Sequence, residues 1–321
     1  MKPDKLLGSV YVIKIELSSK CNSACLMCPR IIEKKEFRRN DHMKFDTFKK
    51  IIDELEEEIK KLEQEEKDVK LKNALEKIVP YNQILLNCFS VESMNSIKEG
   101  KLILRLHGFG ESFLNPDFIK IIEYIKNKDF YTTISTNGSV FEKMFIKKLI
   151  KLDVIKEVIF SFDSHIPKQY NLIRKGLDYD KIISNIEKFR EIINNIGSPC
   201  PKIRINIVKT KENSHNITES LDFFLSKGFV AGIDEDIMLR EKIKFENDKI
   251  FCPIMQYSLF IHSNGDVVKC PLDSTGKLKI GNIKEKSLKE IWSSKKNKEY
   301  LEINQSGKLK NLDICRRYCI K

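Results

Sequence analysis

The stretch Cys21-Asn22-Ser23-Ala24-Cys25-Leu26-Met27-Cys28-Pro29-Arg30 lies near the start of this 321-residue chain, directly after the mostly apolar run at residues 10–17. Its three cysteines follow a C-x3-C-x2-C pattern. Three thiolates on so short a loop can ligate three corners of a cube-shaped 4Fe–4S cluster. A structural zinc site needs four ligands, and although His42 is a candidate fourth, this spacing is not usual for zinc. The pattern therefore favours an iron–sulfur cluster with one iron left open for a substrate or cofactor.

The composition is that of a soluble globular protein, because 41% hydrophobic and 32% charged residues are both ordinary values. A chain of this length can bury one large core or two unequal ones. It contains no stretch of about 18 apolar residues and no N-terminal secretion signal, so we expect a cytoplasmic protein without a membrane span. The net charge of +12 comes from lysines spread beside glutamates rather than from a basic stripe, which argues against nucleic-acid binding.

Nine cysteines are present, and seven of them fall into two groups. A cytosolic chain keeps its thiols reduced, so clustered cysteines favour metal ligation over disulfides. Beyond the N-terminal triplet, the candidate ligands of a second metal centre are Cys252, Cys270, Cys315 and Cys319. Cys88 and Cys200 stand alone and are interpreted as small buried apolar residues.

Hydrophobic periodicity predicts alternating strands and helices over most of the chain. The predicted strands are residues 10–17, 101–106, 130–135, 158–163, 202–208 and 229–238, and the predicted helices are residues 46–62, 116–126, 141–152, 179–194 and 217–227. Helices between successive strands indicate a parallel sheet. Six units fall short of a closed eight-unit barrel, so we predict an α/β fold with a partial (β/α)6 TIM-like barrel at residues 1–240. A solvated helical extension to about residue 79 is expected within an insertion at about residues 62–100.

Polar and glycine residues cluster where the predicted strands end. Gly108, Gly110 and Glu111 follow the second strand, Ser135 and Asn137 the third, and Ser161 and Asp163 the fourth. Ligands of parallel sheets bind at the carboxyl ends of the strands. We therefore expect these residues and the cysteine loop to form one site.

The sequence of the C-terminal part, residues 241–321, predicts a small α+β domain that a metal centre holds together. Ser263-Asn264-Gly265 separates predicted strands at residues 257–262 and 266–270, and an Asn-Gly pair is typical of a hairpin turn. Ser287 is a candidate N-cap for a short helix at residues 287–292.

On these residues the chain resembles the radical S-adenosylmethionine (SAM) superfamily, whose cysteine triplet binds a 4Fe–4S cluster. In that family the amine and carboxylate of SAM chelate the open iron, and reductive cleavage yields a 5′-deoxyadenosyl radical that abstracts hydrogen. One departure is Met27, because the residue before the third cysteine is usually aromatic. Methionine is apolar and polarizable, so it can still pack against an adenine ring.

The resemblance also implies a set of SAM contacts. The glycine-rich segment with Gly108, Gly110 and Glu111 is similar to the family motif that binds the ammonium of SAM. Ser135 and Asn137 match the segment after the third strand, and Ser161 and Asp163 match the segment near the ribose. Arg174 matches an arginine near the SAM carboxylate, where a bidentate fork suits it. A structural hydrogen bond is the alternative role for each of these polar residues.

The C-terminal cysteines resemble the SPASM/Twitch extension of the same superfamily. Cys252, Gly265 and Cys270 form a C-x12-G-x4-C pattern, and Gly281-Asn282 and residues 288–292 also match features of that extension. The full SPASM form has seven cysteines and two auxiliary clusters. Four cysteines here imply the shorter Twitch-like form with one fully ligated auxiliary 4Fe–4S cluster. Spacing alone leaves a four-cysteine structural zinc site open.

The resemblance implies a radical SAM oxidoreductase acting on a small molecule or peptide, with a net oxidation assisted by the auxiliary cluster. Family members with one such cluster oxidise aminocyclitol alcohols or modify peptides and sugars. A low-potential donor such as flavodoxin or ferredoxin would supply the electron. A ribosomal-peptide maturase forming thioether or carbon–carbon links is an alternative, although only about twenty residues precede the first cysteine. A non-catalytic iron–sulfur or zinc module that binds nucleic acid is a second alternative. The sequence identifies no general base.

Overall fold

The computed structural model describes residues 10–38, 41–63, 95–96, 101–235 and 251–319. One sheet of nine strands, in the order β6-β5-β4-β3-β2-β1-β7-β8-β9, organises them. The strands are β1 (Val12–Ile15), β2 (Leu102–Arg105), β3 (Phe130–Thr136), β4 (Ile155–Ser161), β5 (Lys202–Lys209), β6 (Val230–Glu235), β7 (Ser258–Ile261), β8 (Asp266–Val268) and β9 (Lys279–Asn282).

Strands β1 to β6 are parallel, and each pairs with the next along the chain. In a doubly wound sheet the order of the strands reverses at a switch point. Here each strand is added on the same side of the one before it, as in a (β/α) barrel. The six parallel strands form the partial barrel that the alternation predicts.

Helices connect the strands and follow them in chain order. They are α1 (Pro29–Ile32), α2 (Phe45–Glu63), α3 (Phe118–Tyr124), α4 (Lys143–Leu152), α5 (Pro167–Ile173), α6 (Tyr179–Ile196), α7 (Ile217–Ser226), α8 (Pro253–Tyr257), α9 (Leu288–Trp292), α10 (Lys295–Gln305) and α11 (Asp313–Tyr318). The five helices predicted between strands are confirmed within a few residues. No helix within the described ranges is long and apolar enough to cross a membrane.

The alternation of side chains along β1 shows how the sheet is buried. Ile13 and Ile15 are fully buried in the main apolar core, and Lys14 and Glu16 alternate with them. Burying an isoleucine side chain contributes about 1.5–3 kcal/mol, so this face stabilises the barrel while the opposite face carries polar groups.

The C-terminal strands differ from the prediction in one respect. β7 pairs in parallel with β1, so the hairpin of β7 and β8 extends the barrel sheet rather than forming a sheet of its own. Tyr257, expected at the start of this strand, is instead the last residue of α8. The α9 helix is confirmed with Ser287 as its N-cap, completed by a capping box with Glu290.

Some predictions lie outside the described residues. They concern the helical extension to about residue 79, most of the insertion at residues 62–100, Cys88 and the proposed boundary between residues 240 and 241.

Candidate functional site

The cysteine loop lies beyond the carboxyl end of β1 and is held there by backbone hydrogen bonds. The Ala24 amide donates to the Lys175 carbonyl at 2.7 Å, and the Leu26 amide donates to the Ile173 carbonyl at 3.0 Å. Cys28 is the N-cap of α1, with proline at the following position, where a missing N–H costs nothing. The loop is therefore fixed between the end of β1 and the end of α5.

The three thiols of this loop lie in one polar microenvironment. Cys25 is buried, and Cys21 and Cys28 are half-buried. The Ser23 hydroxyl oxygen lies 3.2 Å from the Cys21 sulfur and 3.5 Å from the Cys25 sulfur. Burial raises the pKa of the Cys28 thiol, and the nearby thiols of Cys25 and Cys21 raise it further. The loop thus brings together the three thiols that the sequence predicts as ligands of a 4Fe–4S cluster.

Two of the predicted SAM contacts reach the triplet from other elements. The side-chain amide of Asn137, after β3, lies 3.7 Å from the Cys21 sulfur and donates to the Asn22 side chain at 2.9 Å. The Arg174 guanidinium, just after α5, has its Nη1 3.7 Å from the Cys25 sulfur. Donors around cluster sulfurs tune the potential of such a centre. The fold therefore brings together residues that the sequence keeps far apart.

Arg174 is also held in a buried ion pair with Asp163. Its Nη2 donates to the Asp163 carboxylate at 2.9 Å, and its Nε donates to the other oxygen. Asp163 is fully buried and also accepts the Val208 amide at 2.9 Å. Its carboxylate oxygens are thus occupied by protein donors, and the direct effect of Asp163 is to orient Arg174.

Glu111 has a similar internal role in this structure. Its carboxylate accepts the Asn137 amide at 2.8 Å, the Thr136 hydroxyl at 2.9 Å and the Phe113 amide at 3.2 Å. The side chain is 2% exposed, and this burial raises its pKa despite the three donors. Glu111 therefore ties the loop after β2 to the end of β3, next to the cysteine loop.

The remaining predicted contacts lie around the same end of the barrel. The Ser135 and Ser161 hydroxyl oxygens are 3.5 Å apart on neighbouring strands, and both residues are half-buried. Met27 is half-buried within the cysteine loop. These side chains keep accessible surface at the carboxyl ends of β3 and β4 and in the cysteine loop.

Gly108 and Gly110 allow a close approach of the loop after β2. A Cβ on Gly108 would lie 2.3 Å from the Glu16 side chain, and one on Gly110 would lie 2.3 Å from the Ser18 carbonyl and 2.4 Å from the Lys20 carbonyl. The neighbours of Gly110 are backbone atoms of the segment that leads into Cys21, and they cannot rotate away.

A Gly110→Ala substitution should therefore destabilise the protein by about 1–3 kcal/mol, the usual cost of overpacking. Urea unfolding of the metal-free protein measures this change. Gly232→Ala is the matched control. A Cβ at this position would lie 3.2 Å from its nearest neighbour, the flexible guanidinium end of Arg204. Equal losses of stability in the two variants would contradict the backbone-contact explanation.

A buried carboxylate that the sequence reasoning missed, Glu16, connects three parts of the site. It is 2% exposed and pairs with Arg38 at 2.6 and 2.9 Å. It also accepts the backbone amides of Phe109 and Ser263, each at 3.0 Å. Burial alone would raise its pKa, but Arg38 lowers it to about 2. The only signal in the sequence was a single acid at the end of an apolar strand.

The four C-terminal cysteines form a second group of thiols. Cys252 is the N-cap of α8, and Cys270 follows β8. The α11 helix contains Cys315 and has Cys319 as its C-cap. Burial, together with the neighbouring thiol of Cys319, raises the pKa of Cys252 to about 11. Burial, together with Cys252 and Cys319, raises the pKa of Cys315 to about 12. The Met255 and Leu272 amides each donate to a cysteine sulfur at 3.4 Å.

A buried lysine beside this group fits an anionic metal–thiolate centre at the four thiols. Lys269 is fully buried, and its ammonium has no hydrogen-bond partner among the described residues; it lies 4.3 Å from the centre of the Trp292 ring. Burial lowers its pKa to about 7, and only Cys252 counteracts this effect. An isolated buried cation is costly, and a metal centre ligated by four thiolates, whether an iron–sulfur cluster or zinc, carries the compensating negative charge. Across the described ranges no three His, Cys, Asp or Glu side chains are grouped to hold a single metal ion.

Comparisons with known families match this arrangement. Residues 94–224 match the model of the radical SAM superfamily, and residues 252–320 match the model of SPASM, an iron–sulfur cluster-binding domain. The first match begins after the cysteine triplet, and the second contains all four C-terminal cysteines. The description of the second family favours iron–sulfur over zinc at those cysteines.

Individual proteins are similar over most of the chain. The chain is 23% identical over 335 residues to the tungsten-containing aldehyde ferredoxin oxidoreductase cofactor-modifying protein of Pyrococcus furiosus, covering 88% of this chain and 80% of the relative. Among solved structures, BtrN in complex with AdoMet and 2-DOIA aligns with a TM-score of 0.54 at 15% identity, covering 96% of this chain and 92% of that chain. Streptococcus suis SuiB bound to precursor peptide SuiA aligns with a TM-score of 0.59 at 16% identity, covering 92% and 67%.

These similarities, together with two groups of thiols on a partial barrel, agree with the resemblance in the sequence. A 4Fe–4S cluster, SAM and an auxiliary iron–sulfur centre are the cofactors of this family. The chain belongs to the radical SAM superfamily of enzymes and carries a C-terminal SPASM domain.

Proposed function

We propose that this protein is a radical SAM oxidoreductase with two iron–sulfur centres. Cys21, Cys25 and Cys28 ligate the SAM-binding 4Fe–4S cluster, and an auxiliary 4Fe–4S cluster is ligated by Cys252, Cys270, Cys315 and Cys319. The observation that carries this proposal is the cysteine triplet at the carboxyl end of a partial barrel, contacted there by Asn137 and Arg174. When bound, the cluster and SAM supply a one-electron cleavage that produces a hydrogen-abstracting radical.

The residues around the triplet have distinct roles in this proposal. Asn137 and Arg174 donate towards the cysteine sulfurs and face SAM, and Asp163 orients Arg174. Glu111 and the two glycines shape the loop against which the methionyl part of SAM binds. Met27, Ser135 and Ser161 keep accessible surface and contact the nucleoside.

The proposed net reaction is an oxidation of a small molecule or peptide. Four cysteines can close every iron of the auxiliary cluster, which suits it to electron transfer rather than to substrate ligation. The buried ammonium of Lys269 near Cys252 has no hydrogen-bond partner among the described residues, and its positive charge favours the addition of an electron there. Similarity to BtrN and to a cofactor-modifying protein supports a small-molecule substrate. A low-potential donor such as flavodoxin or ferredoxin supplies the first electron.

A peptide maturase is the second candidate, and the similarity to SuiB bound to precursor peptide SuiA favours it. The chain aligns with 67% of SuiB, so a third of that protein has no counterpart in the alignment. Detection of a thioether or carbon–carbon link in a peptide encoded near this gene would favour the maturase. Membership of an enzyme superfamily favours catalysis over the nucleic-acid-binding alternative.

Anaerobic reconstitution tests the proposed cofactors directly. We expect about eight irons and eight sulfides per chain, since two 4Fe–4S clusters need that number. Addition of dithionite and SAM should then yield 5′-deoxyadenosine, measured by chromatography. Only about four irons in the wild-type protein would contradict the auxiliary cluster, and the absence of 5′-deoxyadenosine would contradict the enzyme.

The double variant Cys315→Ala/Cys319→Ala separates the two centres. Because it retains the N-terminal triplet, it should keep about four irons and still form 5′-deoxyadenosine. Turnover of the substrate should stop, since the auxiliary cluster is the proposed electron acceptor. A variant that retains all its iron would show that these cysteines are not ligands.

A further inference from the structure

Glu33 connects the cysteine loop to the C-terminal thiol group. It is the C-cap residue of α1, the single-turn helix whose N-cap is Cys28. Its carboxylate accepts the Arg317 guanidinium at 2.6 Å and the hydroxyl groups of Tyr318 and Ser274. Only 7% of the Glu33 side chain is exposed. One buried carboxylate thus receives donors from two separate C-terminal segments.

Both of these segments carry auxiliary cysteines. Tyr318 directly precedes Cys319 at the end of α11, and Ser274 lies in the turn that follows Cys270. That turn is rigid, because the Asp273 carboxylate accepts the backbone amides of residues 276, 277 and 278 at 2.7–3.0 Å. The position of Glu33 therefore depends on the segments that hold two of the four C-terminal cysteines.

The other end of α1 is tied to the N-terminal triplet. The Ile31 and Ile32 amides both donate to the Cys28 carbonyl, at 2.8 and 3.0 Å. The helix is a single turn, and the Glu33 amide donates to the Pro29 carbonyl at 2.8 Å, so its C-cap is bonded directly to the residue after its N-cap. Hydrogen bonds to a buried charged group are stronger than neutral ones and costly to leave unmade. Glu33 thus joins Cys28 to the Cys270 and Cys319 segments through short, rigid connections.

We propose that Glu33 is a positioning residue that couples the two cluster sites, so that loading the C-terminal site stabilises α1 and the geometry at Cys28. This inference rests on the proposed assignment of the four C-terminal cysteines as cluster ligands. Its effect is to link the assembly of the auxiliary centre to the order of the SAM-binding loop.

The test uses the variant Cys21→Ala/Cys25→Ala/Cys28→Ala as the parent protein, because iron then enters only the C-terminal site. Hydrogen–deuterium exchange of the peptide covering residues 29–38 is measured before and after anaerobic reconstitution. Loading should slow exchange in this peptide by about ten-fold, since local opening becomes coupled to the cluster-bound segments. Adding Glu33→Gln should remove this slowing.

Glu36→Gln is the matched control. Glu36 pairs with Lys277 at 2.6 Å across the same interface, but the two side chains are 51% and 42% exposed. An exposed ion pair contributes little, so this variant should retain the protection of α1. Circular dichroism checks that each variant is folded, and if the Glu33 variant does not fold, Tyr318→Phe, which removes one donor, should weaken the protection instead.

Three results of this experiment would contradict the coupling through Glu33. The first is protection that is the same with Glu33→Gln as in the parent. If the Glu33 variant does not fold, the equivalent result is protection that Tyr318→Phe leaves unchanged. The second is the absence of any slowing on loading in the parent. The third is a parent that takes up no iron, which would contradict the proposed auxiliary centre itself, and the inference would fail with it.

Discussion

Replacing Cys21, Cys25 and Cys28 with alanine should abolish the formation of 5′-deoxyadenosine from SAM. Alanine cannot ligate iron, and the other residues near the triplet, such as Asn137 and Arg174, are hydrogen-bond donors rather than ligands. The C-terminal site should still load, leaving about four of the eight irons. Chromatographic assay of 5′-deoxyadenosine after dithionite addition, together with an iron count, measures both effects.

Cys200→Ala is the control for this experiment. Cys200 is a half-buried thiol outside both cysteine groups, so its removal should leave iron content and SAM cleavage unchanged. SAM cleavage that persists in the triplet variant would show that the N-terminal loop does not hold the reactive cluster.

Asp163→Ala should have the largest effect on stability, a loss of about 3–5 kcal/mol, because it leaves a buried guanidinium without its carboxylate. Asp163 is fully buried, and Arg174 is only 8% exposed. Burial lowers the pKa of Arg174, and in the intact pair Asp163 outweighs this effect and raises it. Without Asp163 the guanidinium still stays charged, because arginine is not deprotonated in proteins. The Val208 amide also loses its acceptor. Urea unfolding of the metal-free protein measures this change.

Two further variants test whether the loss of stability comes from the burial of the ion pair. Glu123→Ala removes an exposed ion pair with Lys148, whose side chains are 46% and 52% exposed, and should change stability by less than about 1 kcal/mol. The double variant Asp163→Ala/Arg174→Met should regain stability relative to Asp163→Ala alone, because the uncompensated charge is gone. A double variant that is less stable than the single one would contradict this explanation.

The barrel could be predicted from the sequence because its signal is local. Each strand and the helix after it show their own periodicity, and chain order alone gives the strand order. The α5 helix was missed because its seven residues bury only Tyr170 and Ile173, too few to establish a helical period. The pairing of β7 with β1 was missed for a different reason. Its partner lies at the far end of the chain, and the hairpin turn specifies only the neighbouring strand.

The two cysteine groups could be predicted because the spacing of cysteines along the chain itself indicates ligation of a metal or cluster. The roles of the charged residues around these groups could not be predicted, because they depend on which side chains lie next to them in the folded chain. Asp163 and Arg174 were expected to contact SAM separately, and the structure shows them bound to each other. Glu16 and Lys269 are single charged residues between apolar or cysteine neighbours, and Glu33 is one of several charges at residues 33–36. Only the folded chain shows that Glu16 and Glu33 join distant segments. It also shows that Lys269, beside the C-terminal thiols, has no hydrogen-bond partner within the described ranges.

The parallel pairing of β1 with β7 has a consequence for engineering new enzymes from this one. An auxiliary region that shared no strand pairing with the barrel could be exchanged between relatives as a separate unit. Here its removal would expose the backbone of β1 as an open apolar edge, which invites aggregation, and would take the Ser263 amide away from Glu16. A chimeric enzyme would therefore need to keep β7 and the turn after it with the barrel, and place the junction beyond them.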